Sequence, residues 1–187
     1  RQMCIRDSSM SGTFENIDVP PTLVSFAVST ASSRKIVSPE FKDTDSTVIM
    51  IKPDYDENSL PVFESVKNCF TYVEDMIENG RAKSVWTVSG GGVAEGIAKM
   101  CFGNRIGFAF ENRPSEEELF LPHYGSFIIE IDGEALENEI VLGKTKQEYN
   151  IFTKSYTLSL DSLQKTWENK LEPVFPLSLI HISEPTR

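Results

Sequence analysis

The stretch Lys83-Ser-Val-Trp-Thr-Val-Ser-Gly-Gly-Gly-Val-Ala-Glu-Gly-Ile-Ala-Lys-Met-Cys-Phe102 carries two periods separated by three glycines. Val85 and Val88 are β-branched and Trp86 is aromatic, which favours a strand, whereas Val93, Ile97, Met100 and Cys101 recur at helical spacing on one face. The segment therefore predicts strand, glycine turn, helix. Gly90, Gly91 and Gly92 have no Cβ and let a backbone come close to a ligand, and a helix start with free amides and the positive dipole end favours an anion. Ser89 precedes the triplet and adds a hydroxyl. Glu95 and Lys99 are spaced to form a supporting i,i+4 pair. A strand-to-helix glycine triplet also serves as a plain tight turn, and composition leaves the two roles open. A dinucleotide fingerprint is excluded, because Gly90-x-Gly92 would need glycine where Glu95 stands.

Working outward, Thr22 to Val28 and Ser46 to Ile51 are predicted strands, both central in a sheet, the first opened by Pro20-Pro21. From Pro61 a helix is predicted with Val62, Val66, Phe70, Val73 and Ile77 on its apolar face, closed by Asn79-Gly80. Gly103-Asn104 is read as the cap of the helix after the glycine turn, and Arg105 to Phe110 as a further strand. Ser115 is a candidate N-cap for a short helix after Pro114. Gly125 to Ile131 and Tyr156 to Leu160 are strand-like, and Asp161 is the expected N-cap of a last helix carrying Leu163, Trp167 and Leu171 up to Pro173. Gly143-Lys144-Thr145 invites a P-loop reading that fails, since Asn138 occupies the position of the required first glycine, and a strand-to-loop corner is expected instead. Strands and helices that intermix, with several strands apolar throughout, predict an α+β fold: three layers, α/β/α, around a mixed sheet.

The formal net charge of −10 argues against a nucleic-acid or anionic-membrane surface. No apolar run approaches the ~20 residues that span a bilayer, so a soluble, cytoplasmic protein is expected. Cys69 and Cys101 fall inside helical patterns and are read as free buried thiols in a reducing setting. A Cys101/His123 nucleophile pair is the sharper alternative, and it requires an activated thiolate. Glu111, Glu130 and Asp132 are read as solvated loop-edge carboxylates.

The two ends carry a different signal. Gln2 to Ser8 can be encoded as CAG ATG TGT ATA AGA GAC AGN, and Leu177 to Ile182 as its inverted complement, CTG TCT CTT ATA CAC ATC. The pair resembles translated transposon adapters, so 1–8 and 177–187 are left out of fold reasoning. Removing their Arg1, Arg6, Arg187, Asp7 and Glu184 takes the net charge from −10 to −11. The remainder is expected to be a fragment of a longer chain, organised as 9–18, the end of a preceding domain and linker; 19–165, one domain; and 166–176, the start of a further linker.

Several segments together resemble formylglycinamide ribonucleotide amidotransferase (phosphoribosylformylglycinamidine synthase) of the large, multidomain type. Ser9-Met-Ser11-Gly12 looks like the end of that family's Gly-Lys-Asp-Ser-Met-Ser segment. Val19-Pro-Pro-Thr-Leu-Val-Ser-Phe-Ala-Val28 and Ile36-Val-Ser-Pro-Glu-Phe-Lys42 are similar to the strand and loop that follow. Trp86 to Met100 resembles the Asp-x-Ser-Asp-Gly-Gly strand, turn and helix, and Trp167 to Pro176 the link to a glutaminase domain. The resemblance implies the second domain of the type found at the C-terminus of aminoimidazole ribonucleotide synthetase. It implies a ligase that makes formylglycinamidine ribonucleotide with ATP and glutamine through an iminophosphate. It places Ser89, Gly90, Gly91 and Gly92 at a nucleotide phosphate (ATP or ADP), and Ser9 and Ser11 on the substrate side. Thr87 and Gly90 stand where many members have Asp, and hydroxyl and backbone groups are weak ligands for magnesium, so no metal is expected here. The implied partners are the other synthetase domains and the glutaminase domain of the same parent chain. Without them the piece is expected to be inactive. A non-catalytic scaffold that packs the synthetase half and orients the glutaminase is the alternative, and a stand-alone kinase-like enzyme of the same fold a third.

Overall fold

The computed structural model describes residues 4–28, 30–137, 139–170 and 172–173. They divide into two units, one running to Ile36 and the other starting at Val37. In the first unit, β1 (Cys4–Phe14) and β2 (Ile17–Val28) form an antiparallel hairpin joined at Glu15, which takes a left-handed φ of 52°. Thr22 to Val28 is therefore a strand, as predicted, but not a central one: among the described residues it pairs only with β1, and Leu23 and Phe26 are exposed. An isolated strand shows the same local alternation whichever sheet recruits it. Ser9 and Ser11 lie within β1.

The second unit holds a seven-stranded sheet. Its strands are β3 (Thr47–Ile51), β4 (Ala82–Thr87), β5 (Gly107–Phe110), β6 (Phe127–Ile131), β7 (Ile140–Lys146), β8 (Asn150–Phe152) and β9 (Thr157–Ser159), in the spatial order β4-β6-β3-β7-β5-β8-β9. All neighbours are antiparallel except β5 and β8, which makes the sheet mixed. The three-residue β8 is too short to show a period in the sequence and was not predicted.

Alternation along the strands sends side chains into two cores. Val48 and Met50 of β3 and Ile128 of β6 pack on one face against Val93, Ile97, Met100 and Cys101 of α2 (Gly92–Asn104), with Leu160 of α4 (Leu160–Glu168). Ile49 of β3 with Phe127, Ile129 and Ile131 of β6 packs on the other face against Val73 and Met76 of α1 (Phe63–Glu78). Helices thus cover both faces, and the predicted three-layer α+β architecture is what the chain adopts. Burying each large aliphatic chain here stabilises the fold by about 1.5–3 kcal/mol. Gly96 lets α2 sit down on the sheet, since a Cβ there would come within 2.6 Å of Ile128 and 2.9 Å of Trp86.

Local details move several predicted boundaries. Pro61 bridges to Tyr55, and α1 begins two residues later at Phe63. Its buried side is Cys69, Val73 and Met76, while Phe70 is 52% exposed, so the core-facing stripe is rotated from the one predicted. The left-handed cap of α2 is Arg105 (φ 55°), with Gly103 still in the helix, where a Cβ would meet Glu40 at 2.5 Å. Ser115 caps α3 (Glu116–Phe120) in a full capping box with Glu118. Ser159, not Asp161, is the N-cap residue of α4; Asp161 lies in the first turn and accepts from Arg105 at 2.6 Å. Leu171 and 177–187 lie outside the described residues.

Gly143, Lys144 and Thr145 belong to β7 itself, so the loop-corner expectation fails. Gly143 sits where β7 shifts register against β3, and a Cβ would come to 2.0 Å from the Ala109 carbonyl oxygen. Its glycine is demanded by strand packing. Glu130 is likewise not a solvated edge carboxylate. It is fully buried and accepts from the Lys42 and Asp43 amides at 2.7 and 3.0 Å and from the Ser84 hydroxyl at 3.2 Å, anchoring the 42–43 loop to the sheet. Glu111 and Asp132 are exposed, as expected.

Candidate functional site

The predicted strand, glycine turn and helix are present as β4, Ser89 to Gly91, and α2. Thr87 ends β4 opposite Phe127 and is exposed. Ser89, Gly90, Gly91 and Gly92 are contiguous in the turn, whereas Ser9 and Ser11 belong to the other unit.

The three glycines meet different surroundings. Gly90 faces open space. Gly92 has φ 67°, and a Cβ on it would meet the Leu119 and Leu121 carbonyl oxygens at 2.5 and 2.8 Å, so the close approach it permits is to the end of α3. A Cβ on Gly91 would lie 2.5 Å from the Glu95 carboxylate.

That carboxylate is the feature the sequence reading missed. One oxygen of Glu95 accepts from the Ser89 hydroxyl at 2.9 Å and from the Gly91 amide at 3.0 Å, while the other takes the Lys99 ammonium at 2.6 Å. The Lys99 ammonium above all, then the Ser89 hydroxyl, holds the Glu95 carboxyl below the usual range against the opposing effect of burial, with the Gly91 amide adding to it. The donors expected to meet a phosphate thus already meet an internal anion. The i,i+4 pair with Lys99 was legible, but the second oxygen's turn back toward Ser89 follows from a side-chain conformation that spacing does not specify. Lys99 also lies 5.8 Å from the Trp86 ring and 5.7 Å from the Trp167 ring, beside a buried Trp86 Nε1 that has no hydrogen-bond partner.

The nucleophile alternative is not supported. Cys101 is fully buried in the α2 core, and burial pushes its thiol pKa up, opposite to an activated thiolate. His123 instead lies beside Tyr55, ring centroids 5.9 Å apart. Among the described residues no three His, Cys, Asp or Glu side chains are grouped to hold a metal ion, and no helix is long and apolar enough to cross a membrane.

The fold and the glycine-turn unit define a class, a mixed-sheet α+β domain layered α/β/α. Among solved structures, phosphoribosylformylglycinamidine synthase II enzymes are similar to this chain in fold. The Thermotoga maritima enzyme superposes with a TM-score of 0.58 at 12% identity over 75% of this chain. T. maritima PurL complexed with AMPPCP gives 0.57 at 12% identity over 75%, and PurL complexed with FGAR gives 0.55 at 12% over 75%. The likeness is one of fold. This chain spans 29%, 28% and 31% of those three chains, respectively. No protein-family profile and no curated protein matches it.

Proposed function

We propose that this chain is a piece of a large formylglycinamide ribonucleotide amidotransferase, covering the second domain of the aminoimidazole ribonucleotide synthetase C-terminal type. In the parent, the ATP- and glutamine-dependent ligase would convert formylglycinamide ribonucleotide to formylglycinamidine ribonucleotide in the cytoplasm. The observation that carries this reading is the fold shared with PurL over 75% of the chain; the glycine turn between β4 and α2 lies in the segment that resembles the family motif. The solved relatives include PurL complexed with ATP, ADP and FGAR. In this reading Ser89, Gly90, Gly91 and Gly92 face a nucleotide phosphate, Ser9 and Ser11 lie toward substrate, and the partners are the synthetase and glutaminase domains of the parent. Magnesium has no carboxylate at Thr87 or Gly90 to bind.

The second reading, a scaffold domain without a ligand of its own, is favoured by Glu95, which takes the Ser89 and Gly91 donors for itself. Calorimetric titration of ADP and ATP, with and without magnesium, into the chain and into Ser89→Ala and Gly91→Val variants separates the two. Binding that the substitutions abolish supports a phosphate site at the turn, whereas no binding, or binding that both variants retain, leaves the scaffold. Turnover by the chain alone with ATP, glutamine and formylglycinamide ribonucleotide would overturn the expectation that it is inactive without its partners.

A further inference from the structure

Away from the glycine turn, a cavity of about 530 Å³ opens on the α2 face at the ends of β3 and β5. Its size falls within the ~300–1,000 Å³ typical of small-molecule sites. Met50, Val93 and Leu142 give it an apolar floor and Phe110 an aromatic wall. None of Ser89 to Gly92 lines it.

Its charge runs against that of the protein. In a chain of net charge −10, Lys52, Arg113 and Lys154 all reach this one cavity. Lys52 and Lys154 have no carboxylate within 4.0 Å among the described residues, and Arg113 has only the exposed Glu116 at 4.0 Å. Two acids share the lining, but Glu118 is engaged in the capping box with Ser115, leaving Glu111. Three basic side chains therefore face two carboxylates in this cavity, and a cleft lined by an excess of one sign of charge focuses its field. His123, on the same wall, responds to it: burial and then the Lys52 charge press its pKa down, against a smaller opposing pull from Glu118.

We propose that this cavity binds a phosphorylated small molecule, its phosphate held by Lys52, Lys154 and Arg113 and an apolar or aromatic body laid against Phe110 and Met50. The two lysines are placed to act as point charges on the phosphate, and Arg113, steadied by a 3.2 Å hydrogen bond to the Tyr156 hydroxyl, as a planar donor. Nothing in this assignment depends on the glycine turn.

The test uses the full chain and follows the ring C–H signals of His123 by NMR, with His123→Asn to assign them apart from His181. The probes are phenyl phosphate, inorganic phosphate and the uncharged benzyl alcohol. Phenyl phosphate is expected to shift His123 saturably and to bind about tenfold tighter than inorganic phosphate, because the ring adds buried apolar area, while benzyl alcohol produces no saturable shift. Both lysines are on the surface, so Lys52→Glu with Lys154→Glu leaves the core intact and is expected to weaken phenyl phosphate at least tenfold; Lys52→Arg with Lys154→Arg retains it. Ser89→Ala leaves the affinity unchanged. An unmoved His123, equal affinity in the Lys-to-Glu variant, or loss of binding in Ser89→Ala would overturn the assignment, the last by moving the ligand to the turn.

Discussion

If the turn after β4 is a phosphate site, Glu95 competes with the ligand, and removing it should tighten binding. A phosphate approaching the Ser89 hydroxyl and Gly91 amide must displace a carboxylate that holds them at 2.9 and 3.0 Å. A hydrogen bond to a charged group contributes a net ~1.5–3 kcal/mol, and two such bonds would give at least about 3. The Glu95 side chain is 28% exposed, so water offsets part of this, and about 2 kcal/mol is the working figure. At ~1.4 kcal/mol per factor of ten, Glu95→Ala should lower the Kd for ADP by roughly 30-fold. Glu95→Gln, which keeps an acceptor without the charge, should fall between the two. Calorimetry reads the affinity, with circular dichroism to confirm the fold. Unchanged or weaker binding in a folded Glu95→Ala protein would refute the competition and with it a phosphate role for Ser89 and Gly91.

Further outcomes follow from acids whose hydrogen bonds the fold supplies. Glu130→Ala leaves the Lys42 and Asp43 amides and the Ser84 hydroxyl without their acceptor, a loss of about 3 kcal/mol at ~1–3 per orphaned donor, and should lower the melting temperature by roughly 6–12 °C; a change of less than 2 °C would show that water replaces the carboxylate. Acid should weaken the fold before general denaturation. The Lys42 and Ser38 contacts hold the Glu40 carboxyl down to about 2 from an ordinary 4.5. Burial pushes Glu139 up, but its bonds from Arg81, the Leu136 amide and Tyr72 outweigh that and lower it, as the Lys99 and Ser89 contacts lower Glu95. Groups depressed in the folded state stabilise it above their unfolded pKa, so the urea midpoint should fall as pH drops from about 5 toward 2. Arg81→Met should reduce that slope by removing the largest favourable contact of Glu139, and an equal slope would contradict its assignment.

Much of the fold was legible because it is local. The face of α2, the Ser115 N-cap and the β6 run each follow from local residue types and spacing, which fix which side chains share a face before any partner arrives. What was not legible depended on which partner arrived. Thr22 to Val28 is a mostly apolar, β-branched run that reads as a strand whichever sheet recruits it, and only pairing assigned it to a hairpin. Glu130 is an acid in an apolar run, and only the amides of the 42–43 loop and the Ser84 hydroxyl, brought to it by the fold, make its burial tolerable.

At the candidate site the division is the same. By itself the sequence determined that a glycine turn joins β4 to α2, because three residues without Cβ interrupt two periods. Only the tertiary structure decided what the turn holds: Gly92 against the α3 carbonyls, Gly91 and Ser89 against Glu95. It also decided that Lys52, Arg113 and Lys154, 102 positions apart from first to last, face one cavity. Charges far apart in the chain become neighbours only when the sheet order β3-β7-β5-β8 brings their strands together, and that order is set by the packing of two cores that no local period encodes.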